Sequence, residues 1–126
     1  MVQQGLKLRI RIQRDGTLIL GPGRADLLAF IQSTGSIAAA GRQMGMSYKR
    51  AWALVEALNS SFAQPLVEAA KGGPGGGGAK LTMLGREVLA AYQTLENNCG
   101  NAAAMQLERL QSALSLPAVS PGGESG

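Results

Sequence analysis

The run Ser47-Tyr48-Lys49-Arg50-Ala51-Trp52 concentrates hydroxyls, positive charge and two aromatic rings. Lys49 can bond the acceptors of guanine, Tyr48 can reach a base or a phosphate, and Arg50 is suited to a phosphate. A second unusual stretch is Gly72-Gly73-Pro74-Gly75-Gly76-Gly77-Gly78, bracketed by Lys71 and Lys80. From Gly73 to Gly78 it matches the G-x-G-x-x-G spacing of dinucleotide-binding turns. Those turns follow a strand and open a helix, whereas strand-like Leu81-Thr82 comes next here. A phosphate-binding loop ends in Gly-Lys-Ser/Thr; here Ala79 separates Gly78 from Lys80, and Leu81 replaces the hydroxyl residue. The loop then reads either as a floppy linker or as a wing, whose small residues can come close to a DNA backbone.

Enzymatic chemistry has little to stand on. The 126 residues include no histidine and a single cysteine, Cys99. A Cys–His pair is excluded, a zinc site lacks ligands, and the acids are scattered singly. Cys99 reads as a packed thiol, and with no intrachain disulfide a reducing cytoplasm is the simpler setting. The N-terminus shows no signal peptide, since Lys7, Arg9 and Arg11 interrupt its apolar residues. No apolar run approaches a membrane span.

The elements that must position these residues follow from periodicity and punctuation. Leu6 to Ile12 alternates apolar and basic residues, the period of a half-buried strand. Asp15-Gly16 then predicts a hairpin to Thr17–Leu20. A helix is expected from about Arg24 to Ser33. Ser36 can cap a second, Ile37 to Met44, which Gly45 stops. Ser47 can cap a third from about Tyr48 to Ser60, with Ala51, Val55 and Leu58 facing the core. Two short helices across a Gly-containing turn form a helix-turn-helix signature, and the N-terminal residues of the second enter the major groove. At about 100° per residue, Lys49 lies far round from the inward face, with Tyr48 and Trp52 on its side. The alternative makes Trp52 a core residue and Lys49 and Arg50 solvated charges.

Leu66–Ala70 and Lys80–Thr82 read as the strands flanking the Gly-rich loop. A long helix from about Met83 to Leu114 closes the pattern. Val88, Tyr92, Leu95 and Cys99, continued by Leu107 and Leu110, form a seam suited to a second copy. Residues 1–115 therefore read as one winged helix-turn-helix domain, mainly α with small β, with an N-terminal hairpin and a dimerisation helix. The tail 116–126, rich in Pro, Ser and Gly, reads as disordered.

Charge supports an anionic partner. The net charge is +4, but residues 1–50 carry eight basic residues against two acidic, a net +6, while the remainder is net −2. Double-stranded DNA fits that asymmetry; a membrane partner is not expected. The candidate DNA contacts are Ser36, Arg42, Ser47, Tyr48, Lys49, Arg50, Trp52, Lys71, Gly75, Gly76, Gly77 and Lys80.

Thr34-Gly35-Ser36-Ile37, Gly45-Met46-Ser47-Tyr48-Lys49-Arg50-Ala51-Trp52, and the wing from Gly72 to Thr82 followed by Gly85 resemble one family. It is the DNA-binding domain of the ModE family of molybdate-responsive transcriptional regulators, and more distantly that of LysR-type regulators. The resemblance runs roughly from Leu6 to Leu95. It implies a winged helix-turn-helix homodimer paired through its long helix, repression of molybdenum-uptake genes, and molybdate or tungstate as effector. Family members add C-terminal molybdate-binding domains, and the expectation here is a chain without them. The residues themselves show no oxyanion pocket, which leaves a site between subunits or a separate effector-sensing protein. A rival is a winged-helix protein-interaction module that pairs through the long helix without binding DNA.

Overall fold

Asp15 and Gly16 both adopt positive φ, 51° and 82°, the backbone of a tight two-residue hairpin turn. They join β1 (Ile12–Arg14) to β2 (Thr17–Leu20) in an antiparallel pair. The alternating run from Leu6 therefore reaches the ladder only at Ile12, which is a correction to the longer strand expected. The reason is that β2 ends at Leu20, where Gly21 and Pro22 begin a helix, so Leu6–Arg11 have no strand to pair with. Those residues bond the last helices instead: the Tyr92 hydroxyl donates to the Ile10 carbonyl at 2.5 Å, and the Leu6 amide to Gln111 at 3.4 Å. The alternation survives only in part as exposure: Lys7, Arg9 and Arg11 are in solvent and Leu6 and Ile10 half-buried, but Leu8 is exposed as well.

The computed structural model describes residues 5–71 and 78–115. The expected wing contacts Gly75, Gly76 and Gly77, and the tail 116–126, lie outside the described residues. Three helices follow the hairpin: α1 (Pro22–Thr34), α2 (Ile37–Gln43) and α3 (Tyr48–Ser61). Pro22 sits at the first turn of α1, where its missing N–H costs nothing. Ser36 caps α2 by accepting from the Ala39 amide at 3.0 Å, and Ser47 caps α3 by accepting from the Arg50 amide at 3.1 Å. Between them Gly45 takes φ 70°, a conformation cheap only for glycine, and the Met46 amide returns to the Gly41 carbonyl. Leu27, Leu28 and Ile31 of α1 pack with Ala40 of α2 and with Ala51, Val55 and Leu58 of α3 in one buried cluster.

The wing is β3 (Val67–Ala70) antiparallel to β4 (Gly78–Leu81). Its base is tied to the helices twice. The Ala79 amide donates to the Gly35 carbonyl in the α1–α2 turn at 2.9 Å. Asn59, near the end of α3, accepts from the amides of Leu66 and Val67 at 2.8 and 3.0 Å. Thr82 caps the next helix rather than extending the strand: its hydroxyl accepts from the Gly85 amide and donates to the Pro65 carbonyl. The architecture is a winged helix-turn-helix, mainly helical with two small hairpins, as the sequence leads one to expect.

One long helix is expected from Met83; the structure has two. α4 (Met83–Ala102) gives way at Ala103 to α5 (Ala104–Ala113). The break follows Asn97-Asn98-Cys99-Gly100-Asn101, a run of weak helix formers. Gly85, Leu89 and Tyr92 are the buried residues of α4, whereas α5 buries none. No helix among the described residues is long and apolar enough to cross a membrane.

Candidate nucleic-acid interface

The cap and opening turns of α3 hold five of the twelve candidate contacts: Ser47, Tyr48, Lys49, Arg50 and Trp52. With Ala51, Val55 and Leu58 inward, Tyr48, Lys49 and Arg50 are all exposed, and Tyr48 keeps 55% of its surface in solvent. Three terms add on this surface: two cationic side chains, the unpaired amides of the first helical turn, and the positive end of the helix dipole. All favour an anion. The Ser47 hydroxyl accepts from its own helix at Arg50, with its O–H still able to donate to a partner.

Trp52 sits between the two expected alternatives, neither fully in the core nor free. It is 38% exposed, and its ring meets that of Tyr48 edge to face, centroids 6.3 Å apart. Its indole N–H donates to the Tyr48 hydroxyl. Ser36, Ile37, Ala38, Tyr48, Trp52 and the wing residues Gly78 and Ala79 line one cleft of ≈310 Å³. The structure thus brings the α2 cap, the start of α3 and the base of the wing to a single surface. Arg42 is exposed in the last turn of α2, and Lys71 is exposed at the end of β3.

Lys80 stands opposite Glu68 across the wing, with Nζ 3.8 Å from the carboxylate. Both side chains are about half in solvent or more, at 62% and 49%, so the pair holds Lys80 weakly, by roughly 0–1 kcal/mol. Glu68 is not among the residues that the sequence pattern singles out, although the antiparallel register predicts the pairing once the strand ends are known.

The expected seam residues do not share one fate. Leu95 and Leu110 are exposed and Val88, Cys99 and Leu107 half-buried. Tyr92 is only 2% exposed and bonded to Ile10, so it belongs to the protomer's own core. Burial, and after it the nearby Glu96, push the Tyr92 phenol above its ordinary range.

No family model matches the chain. Among curated proteins, it is 52% identical over 77 residues to the molybdenum-pterin-binding protein MopB of Rhodobacter capsulatus, a match covering 61% of this chain and 28% of that protein. It is 39% identical over 94 residues to the transcriptional regulator ModE of Yersinia pestis, covering 75% of this chain and 35% of the relative. The DNA-binding transcriptional dual regulator ModE of Escherichia coli is 37% identical over 94 residues, with the same shares of 75% and 35%. Over these stretches the chain is similar to ModE transcriptional regulators and to a molybdenum-pterin-binding protein. It spans about a third of the length of the curated relatives it matches.

The α3 residues of this ModE-like surface are singled out by the sequence pattern alone. What that pattern misses are the ties that hold them: Asn59 to β3, Ala79 to Gly35, and Trp52 to Tyr48. Only the last has a signal, the four-residue spacing of two aromatic residues on one helix.

Proposed function

We propose that this chain binds double-stranded DNA as a homodimer and is the DNA-reading part of a molybdenum-linked transcriptional regulator, acting as a repressor. The observation that carries this is the first turn of α3, which exposes Tyr48, Lys49 and Arg50 beside the wing while its other face is sealed into the core. A helix presented in this way fits the major groove, and a flanking wing with Lys71 and Lys80 fits the adjacent phosphates. The link to molybdenum rests on the relatives, several of which are ModE regulators. The effector would be molybdate or tungstate, held between subunits or sensed by a separate protein. A regulator of this kind would work beside the chromosome, in the cytoplasm.

The second copy would meet the outer face of α4, where Ala91, Leu95 and Cys99 line a shallow groove, together with Leu107 and Leu110 of α5. Two-fold symmetry would then match an inverted-repeat operator.

Anisotropy titrations of genomic duplexes at two salt concentrations test the reading. Neutralised phosphates release counterions, so affinity should fall steeply with salt, with a log–log slope of roughly −0.9 per phosphate contact. No detectable binding even at low salt would favour the protein-interaction module instead.

A further inference from the structure

Trp52 lies one turn beyond Tyr48 on α3, and the two side chains are joined. The indole Nε1–H donates to the Tyr48 hydroxyl, and the rings meet at 83°. An indole has one donor and no acceptor. Spent on Tyr48, it leaves Trp52 no polar group with which to read a base edge. The phenol is changed in the opposite sense. Having accepted from the indole, its oxygen is held in place and its own O–H is directed elsewhere as a donor.

The indole is also the better anchored of the two. Trp52 lines a small cavity of ≈90 Å³ together with Ile37, Val55, Asn59 and Val67, where α2, α3 and the wing meet. Tyr48 is the more exposed, at 55% against 38%. One ring is braced by the fold and the other projects from it.

We infer that Trp52 is a positioning residue that fixes the Tyr48 hydroxyl as a hydrogen-bond donor to an acceptor atom of duplex DNA, and that Trp52 reads no base by hydrogen bonding. This rests on the DNA-binding function proposed above. The acceptor is either a base edge, such as a purine N7, or a phosphate oxygen; the same donor chemistry serves both.

Trp52 is the chain's one tryptophan, so its indole gives a single N–H resonance in the free protein. In Tyr48→Phe, an exposed change that leaves the core intact, that resonance should move upfield. An unmoved resonance would overturn the inference without any DNA present. For function, the wild-type chain selects a duplex from a random-sequence pool. Tyr48→Phe, Trp52→Phe and the double variant are then titrated against that duplex and a scrambled one, with thermal unfolding run in parallel. Each single change should weaken binding about tenfold, and the double variant no further than Tyr48→Phe alone. Loss on the selected duplex only assigns the acceptor to a base; equal loss on both assigns it to a phosphate. Multiplying losses, or a Trp52→Phe chain that binds as the wild type does, would overturn the positioning role while leaving DNA binding in place. If the wild type selects no duplex, the DNA reading falls and takes the inference with it.

Discussion

Leucine meets two different fates in this chain. Leu27, Leu28 and Leu58, in α1 and α3, are fully buried, whereas Leu110 and Leu114, in and just after α5, are more than half exposed. The helix-turn-helix with the base of its wing is completed by its own chain. The apolar face of α5 is not, and burying it against a second copy is the simplest way to remove it from water. The face that would touch DNA therefore rests on a finished core, and the face that would make the dimer does not.

Truncating each kind of leucine breaks or sharpens that contrast. Leu58→Ala removes a fully buried side chain and should cost about 2–5 kcal/mol in urea unfolding. Leu110→Ala should cost the protomer under about 0.5 kcal/mol and show instead as a weaker dimer by sedimentation. Equal destabilisation by the two would erase the distinction.

Gly85→Ala should fall next, at about 1–3 kcal/mol. A Cβ there would collide with the backbone carbonyl of Leu66, which is already bonded to the Thr82 amide. A variant unfolding at the wild-type midpoint would show that α4 and the wing can slide apart freely.

A smaller effect than that of Leu58 or Gly85 concerns Tyr92, the seam candidate that is fully buried in the protomer's core. Its phenol is held neutral in the fold, by burial first and then by Glu96. The folded form thus keeps its proton at a pH where the unfolded chain, with an ordinary value of about 10, has lost it. Stability from this source is present below about pH 10 and declines above it. Tyr92→Phe should flatten the decline and, lacking the bond to Ile10, lose about 1 kcal/mol at neutral pH. Parallel alkaline profiles for the two chains would contradict the assignment.

The pattern of apolar residues and capping serines makes α1, α2, α3 and the first hairpin turn legible in the sequence, because each has a local cause. Asp15-Gly16 needs positive φ, Ser36 and Ser47 need amides three residues on, and Ala51, Val55 and Leu58 share a face. What escapes depends on partners far along the chain. The strand from Leu6 stops short because β2 runs out, and Tyr92 turns inward because Ile10 offers it a carbonyl. The long helix divides where weak formers around Gly100 leave no packing to hold it straight. Within the candidate site, exposure of Lys49 and Arg50 follows from helix geometry, while the Lys80–Glu68 pair needs the strand register.

The central claim is that α3 reads sequence while the wing supplies affinity, and substitution at Lys49 tests it most directly. Lys49→Ala and Lys80→Ala would each be titrated against a duplex selected by the wild type and against a scrambled one. Lys49→Ala should cost about 1–3 kcal/mol on the selected duplex and much less on the scrambled. Lys80→Ala should weaken both by a similar factor and lower the salt slope by about one. Equal weakening of the two duplexes by Lys49→Ala would make Lys49 a phosphate contact and contradict the assignment of sequence reading to the start of α3.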